Sequence, residues 1–263
     1  MKSNNPFAGP EPQEVYLPDA PLVKVLCQIR FPTIASIDKK EFIAPFQEAI
    51  RHNYPKLIKD QGVELSFGPQ GGNFSTKVIW RMLDKSMKWR VSCGENFLSL
   101  ETSAYPGRKI FMKALEEVID KMRTTIQPDL VERVGLRYIN RVQFNSIGHL
   151  SGLLNPGVLG IVGDEIDDNL SSSLTETKFT LSEELKLTAK WGLLPAGQSY
   201  DPTVLDPAEK RNWILDIDGF SEESLDFDLE TILPRLDRLA DIDYRLFRFT
   251  VTDTLLKEYG GTQ

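Results

Sequence analysis

Residues 131–144, V-E-R-V-G-L-R-Y-I-N-R-V-Q-F, set Arg133, Arg137 and Arg141 four residues apart in a largely apolar stretch. A fainter counterpart, P-L-V-K-V-L-C-Q-I-R-F-P, fills residues 21–32. Each heads the same series of predicted elements: a strand, a helix, several antiparallel strands and a long helix. Two such series constrain the fold more than any other feature of the chain, because they read as one unit duplicated. A sheet built this way needs helices over one face to bury its apolar side.

The local signals support this order. Val23, Val25, Cys27, Ile29 and Phe31 alternate with Lys24, Gln28 and Arg30, the period of a strand. Asp38 with Glu41 makes a capping box, and Phe42, Phe46, Ala49 and Ile50 follow at helical spacing until Pro55 intervenes. Strands are expected at 63–67, 77–83, 88–93 and 97–102, separated by the turn-forming runs G-P-Q-G-G, D-K-S and G-E-N. Pro106 then opens an amphipathic helix through Phe111, Leu115, Val118, Ile119 and Met122. The second series has a Gly-interrupted helical piece at 147–162, a polar loop at 163–173 and two strands within 178–194. A proline-punctuated loop at 200–210, a strand at 212–218 and a helical region at 228–259 complete it.

The resulting expectation is an α+β chain in which the duplicated unit forms one curved sheet backed by helices. Its order is the one found in the saddle-shaped TATA-binding-protein-like folds, and likeness of fold carries no function. Residues 1–20 read as an extended N-terminal arm, 21–128 as the first half and 129–263 as the second, packed as one globular unit. Tyr16 and Leu17 stand out as large apolar residues in an otherwise polar arm.

Composition narrows the function classes. The net charge of −7 argues against sequence-blind binding to nucleic acid or anionic membranes, both of which need a basic field. The two cysteines, Cys27 and Cys93, form neither a disulfide framework nor a metal-ligand spacing. No run of 18 apolar residues marks a membrane span, and residues 1–21 lack the apolar segment of a signal peptide. The expected setting is cytoplasmic.

The segments L-V-K-V-L-C-Q-I-R-F-P, F-Q-E-A-I-R-H-N-Y-P and R-V-G-L-R-Y-I-N-R resemble an uncharacterised, sporadically distributed family of bacterial proteins of about this length. The resemblance covers nearly the whole chain and implies a single architecture. It supplies no reaction, substrate or cofactor.

Two constellations carry candidate chemistry. On a strand Arg133, Arg137 and Arg141 share one face at roughly 13 Å intervals, a spacing suited to an extended polyanion. Arg30 takes the matching place when residues 29–31 are laid on 140–142. The competing reading pairs these arginines with carboxylates on a neighbouring strand, for which Asp216 and Asp218 are candidates. Those two aspartates could alternatively share a divalent cation. His52 and His149 adjoin no nucleophile that would make either a general base. Trp80 and Trp89 fall by alternation on core faces.

The preferred reading is therefore a non-enzymatic binding or assembly protein without a cofactor. Arg30, Arg133, Arg137 and Arg141 would meet an anionic partner, either a protein or a nucleic acid, and the chain would form a homodimer. The alternative is a Mg-dependent phosphoryl-transfer or nuclease-like enzyme using Asp216 and Asp218.

Overall fold

The computed structural model describes residues 5–68, 71–163 and 169–261. The first four residues of the arm, the centre of the expected 68–72 turn and residues 164–168 of the expected 163–173 loop lie outside the described residues. The chain combines helices with a large antiparallel sheet that they back. Its strands are β1 (Leu22–Arg30), β2 (Lys56–Gly68), β3 (Gly71–Leu83), β4 (Trp89–Gly94), β5 (Phe97–Thr102), β6 (Leu130–Val131), β7 (Arg133–Val142), β8 (Ser173–Thr180), β9 (Leu185–Leu194), β10 (Asn212–Ser221) and β11 (Leu225–Asp226). Its α-helices are α1 (Lys40–Ile50), α2 (Arg108–Thr125), α3 (Ile147–Leu153), α4 (Pro156–Leu159), α5 (Leu229–Thr250) and α6 (Asp253–Glu258).

Two compact units divide the chain. One comprises Leu26–Gly135 and Ser221–Leu236; the other comprises Met1–Val25, Leu136–Phe220 and Asp237–Gln263. In the Leu26–Gly135 unit the strand order outward from β1 is β5, β4, β3, β2. Cys27, Ile29, Val91, Cys93, Leu98 and Leu100 are buried, as are Phe46 of α1 and Phe111, Leu115 and Met122 of α2. Trp80 is a core residue and donates its indole N–H to the Ile37 carbonyl at 2.7 Å. Trp89 stacks on Phe111 with ring centroids 5.9 Å apart. Both cysteines are buried and neither is in a disulfide among the described residues, and burial pushes the Cys93 thiol up to about 12. A short ribbon of β6 with β11 also belongs here, and carries Phe227 to within 6.1 Å of Phe31.

The capping box expected at Asp38 does not form. Residues Ala35–Asp38 make a 3-10 turn, Lys39 is extended, and α1 begins at Lys40 with no side chain bonded to its first amides. Gly107, with φ 109°, rather than Pro106 adjoins the start of α2.

In the Leu136–Phe220 unit the order outward from β7 is β10, β9, β8. Period two splits β10 between two apolar clusters. Trp213, Leu215 and Ile217 pack with Leu187 and Leu193 of β9, Leu246 of α5 and Leu255 of α6. Ile214 packs instead with Ile139 of β7, Leu194 and Leu205. Both faces of β10 are therefore buried. The expected terminal helix breaks at Val251, which bridges to Leu154, and resumes as α6 behind a Thr252 cap.

Phe7, Val15 and Leu17 of the arm pack against the larger cluster. Tyr244 of α5 secures the arm by accepting from the Val15 amide at 2.9 Å and donating to the Gln13 carbonyl at 3.1 Å. Tyr16 points outward and is 78 % exposed.

Gly192 fixes the pairing of β9 with β8. Its φ of +144° is open to glycine, and a Cβ there would overlap the Ser173 carbonyl oxygen. Gly192→Ala is expected to lower stability by about 1–3 kcal/mol, the scale of local backbone strain, as measured by urea unfolding.

Candidate functional site

The polar centre of the Leu136–Phe220 unit is built from β7, β10 and the connection between β9 and β10. On β10 the alternation that buries Ile214 puts Asp216 on the same face. Arg137 of β7 grips it as a fork: Nε donates to Oδ1 at 2.8 Å and Nη2 to Oδ2 at 2.7 Å. Tyr200, from the connection, donates its hydroxyl to Oδ2 at 2.7 Å. The side chains are 20 % exposed for Arg137 and 4 % for Asp216. A fork onto a planar carboxylate is the geometry in which guanidinium binds best.

Tyr200 is held by local chemistry. Leu205 and Val204 anchor the connection in the smaller cluster. Ser199 Oγ donates to the Leu205 carbonyl at 2.6 Å, and the Gly197 amide donates to Ala208 at 2.8 Å. Burial works against the Arg137 charge, but the bond and field of Asp216 outweigh it and leave the guanidinium above its ordinary value. Burial and then the Asp216 charge raise the Tyr200 phenol, so it remains a donor at neutral pH.

The arginines of the ladder meet different fates. Arg137 is committed to Asp216. Arg141 donates through Nη2 to the Asp206 backbone carbonyl, and its buried Nε has no hydrogen-bond partner among the described residues. Burial lowers its affinity for the proton, opposed by the Asp206 and Tyr200 charges. In the other unit Arg30 is exposed, with its carbonyl accepting from the Glu132 amide at 2.8 Å. Arg133 lies there over Gly135, where a Cβ would meet its guanidinium.

Asp218 adds its charge to the surroundings of Arg137 and Asp243, as Asp216 does. Both Asp216 oxygens accept hydrogen bonds, Oδ1 from Arg137 and Oδ2 from Arg137 and Tyr200. Among the described residues no group of three or more His, Cys, Asp or Glu could hold a metal ion. His52 is exposed, and His149 pairs through Nε2 with Glu258 at 2.9 Å.

Sequence reasoning passed over Asp243. This α5 residue is 2 % exposed, and neither carboxyl oxygen has a hydrogen-bond partner among the described residues. It sits against Gly219 of β10, where a Cβ would come within 2.5 Å of Oδ1. Burial, chiefly, and the charges of Asp218 and Asp216 push its carboxyl well above the usual range, with the Gly219 backbone opposing. The signal was available: residues 236, 239, 243, 246 and 250 make one helical stripe, and an aspartate falls in its middle.

No protein-family model matches the chain, and no curated protein matches it. Among the described residues no helix is long and apolar enough to cross a membrane.

Proposed function

We propose that this chain is a non-enzymatic binding or assembly protein that meets an anionic partner through the exposed side of its arginine strands, Arg141 above all. The observation that carries the reading is the division of labour along β7. Arg137 is neutralised by Asp216, whereas the hydrogen bond of Arg141 goes to a backbone carbonyl. A partly exposed guanidinium with no carboxylate fork on it among the described residues offers its charge to a phosphate or carboxylate. Arg30 and Arg133 extend the same proposal in the other unit. Among the described residues no observation favours the Mg-dependent alternative.

Duplication is part of the proposal. It is supported by the strand orders, since outward from β1 come β5, β4, β3 and β2, and outward from β7 come β10, β9 and β8, one strand fewer. Each series reads from last strand to first, as two copies of a TATA-binding-protein-like unit would. Membership of the sporadically distributed bacterial family, a cytoplasmic setting and a homodimeric state complete the reading.

The test is fluorescence anisotropy with a labelled DNA duplex and labelled polyglutamate across a salt series. Arg141→Gln is expected to weaken binding and reduce the slope of log affinity against log salt by about one. Its stability should change by no more than about 1 kcal/mol, the scale of one net hydrogen bond. Wild-type protein that binds neither polyanion at low salt removes the anion-binding reading.

A further inference from the structure

We propose that β8 is a self-association edge, at which two copies of the chain pair their β8 strands antiparallel about a two-fold axis through Thr177. This rests on the assembly half of the reading above and is independent of Arg141.

β8 ends its strand order, beyond β9, so alternate N–H and C=O groups along it face away from its neighbour. Among the described residues no backbone group outside the β8–β9 ladder bonds to this strand. Leu174 is 50 % exposed, and Thr175, Glu176, Lys178 and Thr180 are exposed as well. A free edge of this kind is a template for another strand, and the occupant that its charges fit is β8 itself.

The fit lies in the register. A two-fold axis perpendicular to a sheet keeps each side chain on its own face, so residues directly opposite must share parity along the strand. Centring the axis on Thr177 places Glu176 of each copy opposite Lys178 of the other, Leu174 opposite Thr180, and Thr177 opposite its twin. Moving the axis by one residue sets Glu176 against Glu176 or Lys178 against Lys178. Opposite charges facing one another stabilise an antiparallel pair and like charges destabilise it, so the alternating S-L-T-E-T-K-F-T sequence selects one closed, isologous register. Lys178 is available for this contact: its side chain is 76 % exposed and lies 3.7 Å from Glu176 of its own strand. Glu176 is held in place from behind by Lys190 of β9 at 3.0 Å.

Sedimentation velocity on the full chain tests the proposal across a concentration series. Wild type is expected to dimerise. Lys178→Glu alone and Glu176→Lys alone should each weaken the dimer about tenfold or more, because two symmetric attractive pairs become repulsive. An equimolar mixture of the two single variants should form a heterodimer, since every facing pair is again opposite in sign. The double variant Glu176→Lys with Lys178→Glu should recover self-association. Thr177→Cys gives a readout free of charge changes. Its thiol should face its twin across strands about 4.5–5.5 Å apart at Cα, and diamide, taking up two electrons and two protons, should link them covalently. Buried Cys27 and Cys93 do not compete. A dimer indifferent to both single swaps, with Thr177→Cys left uncrosslinked, overturns the β8 pairing but leaves assembly through another surface. A wild type monomeric throughout overturns β8 pairing and assembly together, while anion binding at Arg141 is still read separately.

Discussion

Arg137→Ala is expected to lower the free energy of unfolding by about 3–5 kcal/mol, because it strands a buried carboxylate. Asp216 is 4 % exposed and, among the described residues, would keep the Tyr200 hydroxyl alone as a side-chain donor. The loss measures the cost of an unpaired buried charge rather than the worth of the pair, since desolvation of both groups offsets most of their attraction. Replacing both residues with leucine should therefore cost less than Arg137→Ala alone. Tyr200→Phe, which removes one donor and leaves the guanidinium fork in place, should cost about 1 kcal/mol. Urea unfolding of the three variants checks this order. A stable Arg137→Ala protein would mean that water or rearrangement satisfies Asp216, and would return Arg137 to the candidate anion contacts. This variant and Arg141→Gln separate the two roles that one strand holds: the first should unfold easily, and the second should fold normally and bind anions poorly.

The legible parts of this fold are those with strong periodicity. β5 occupies the expected residues 97–102, and α2 buries Phe111, Leu115, Val118, Ile119 and Met122 as its stripe requires. Asp216 was also legible as a partner for the ladder, because alternation on β10 is a local property. Which arginine would take it was not, since that depends on the side-by-side placement of β7 and β10. Tyr200 was hidden for a related reason. It reaches Asp216 from an irregular connection whose course is set by Leu205 and Val204 packing on residues far away in sequence, Ile139 among them. The capping box at Asp38 and Glu41 shows the reverse failure, a clear local motif overridden by its surroundings. The 3-10 turn buries Ile37 and lends its carbonyl to Trp80, and the helix starts two residues after Asp38.

Asp243→Asn is expected to stabilise the protein at neutral pH and to flatten its pH dependence. Asp243 of α5 is buried against β10 with no hydrogen-bond partner of normal geometry among the described residues; Asp218 and Asp216 add negative potential, and the Gly219 backbone opposes them. Its folded pKa is therefore raised well above the ordinary carboxylate value. At a pH below the unfolded pKa, about 3.9, both states carry the proton and the group contributes no penalty. As pH rises past that value the unfolded chain ionises while the folded chain still holds its proton. The folded state then binds more protons, so stability falls with pH by up to about 1.4 kcal/mol per unit until the folded pKa is reached. This is opposite in sign to a salt-bridged carboxylate, whose contribution grows over the same range. Asparagine keeps the size and neutrality of the protonated acid and removes the titration. Urea unfolding of wild type and Asp243→Asn at successive pH values from 4 to 8 isolates this group, because all other titrations are common to both proteins. The two curves should converge at the acid end and diverge in favour of asparagine toward pH 8. Parallel curves would show that the Gly219 amide or water already stabilises a charged Asp243. In that case Gly219→Ala, which drives a methyl into the carboxyl, should displace it and restore a pH dependence that the wild type lacks.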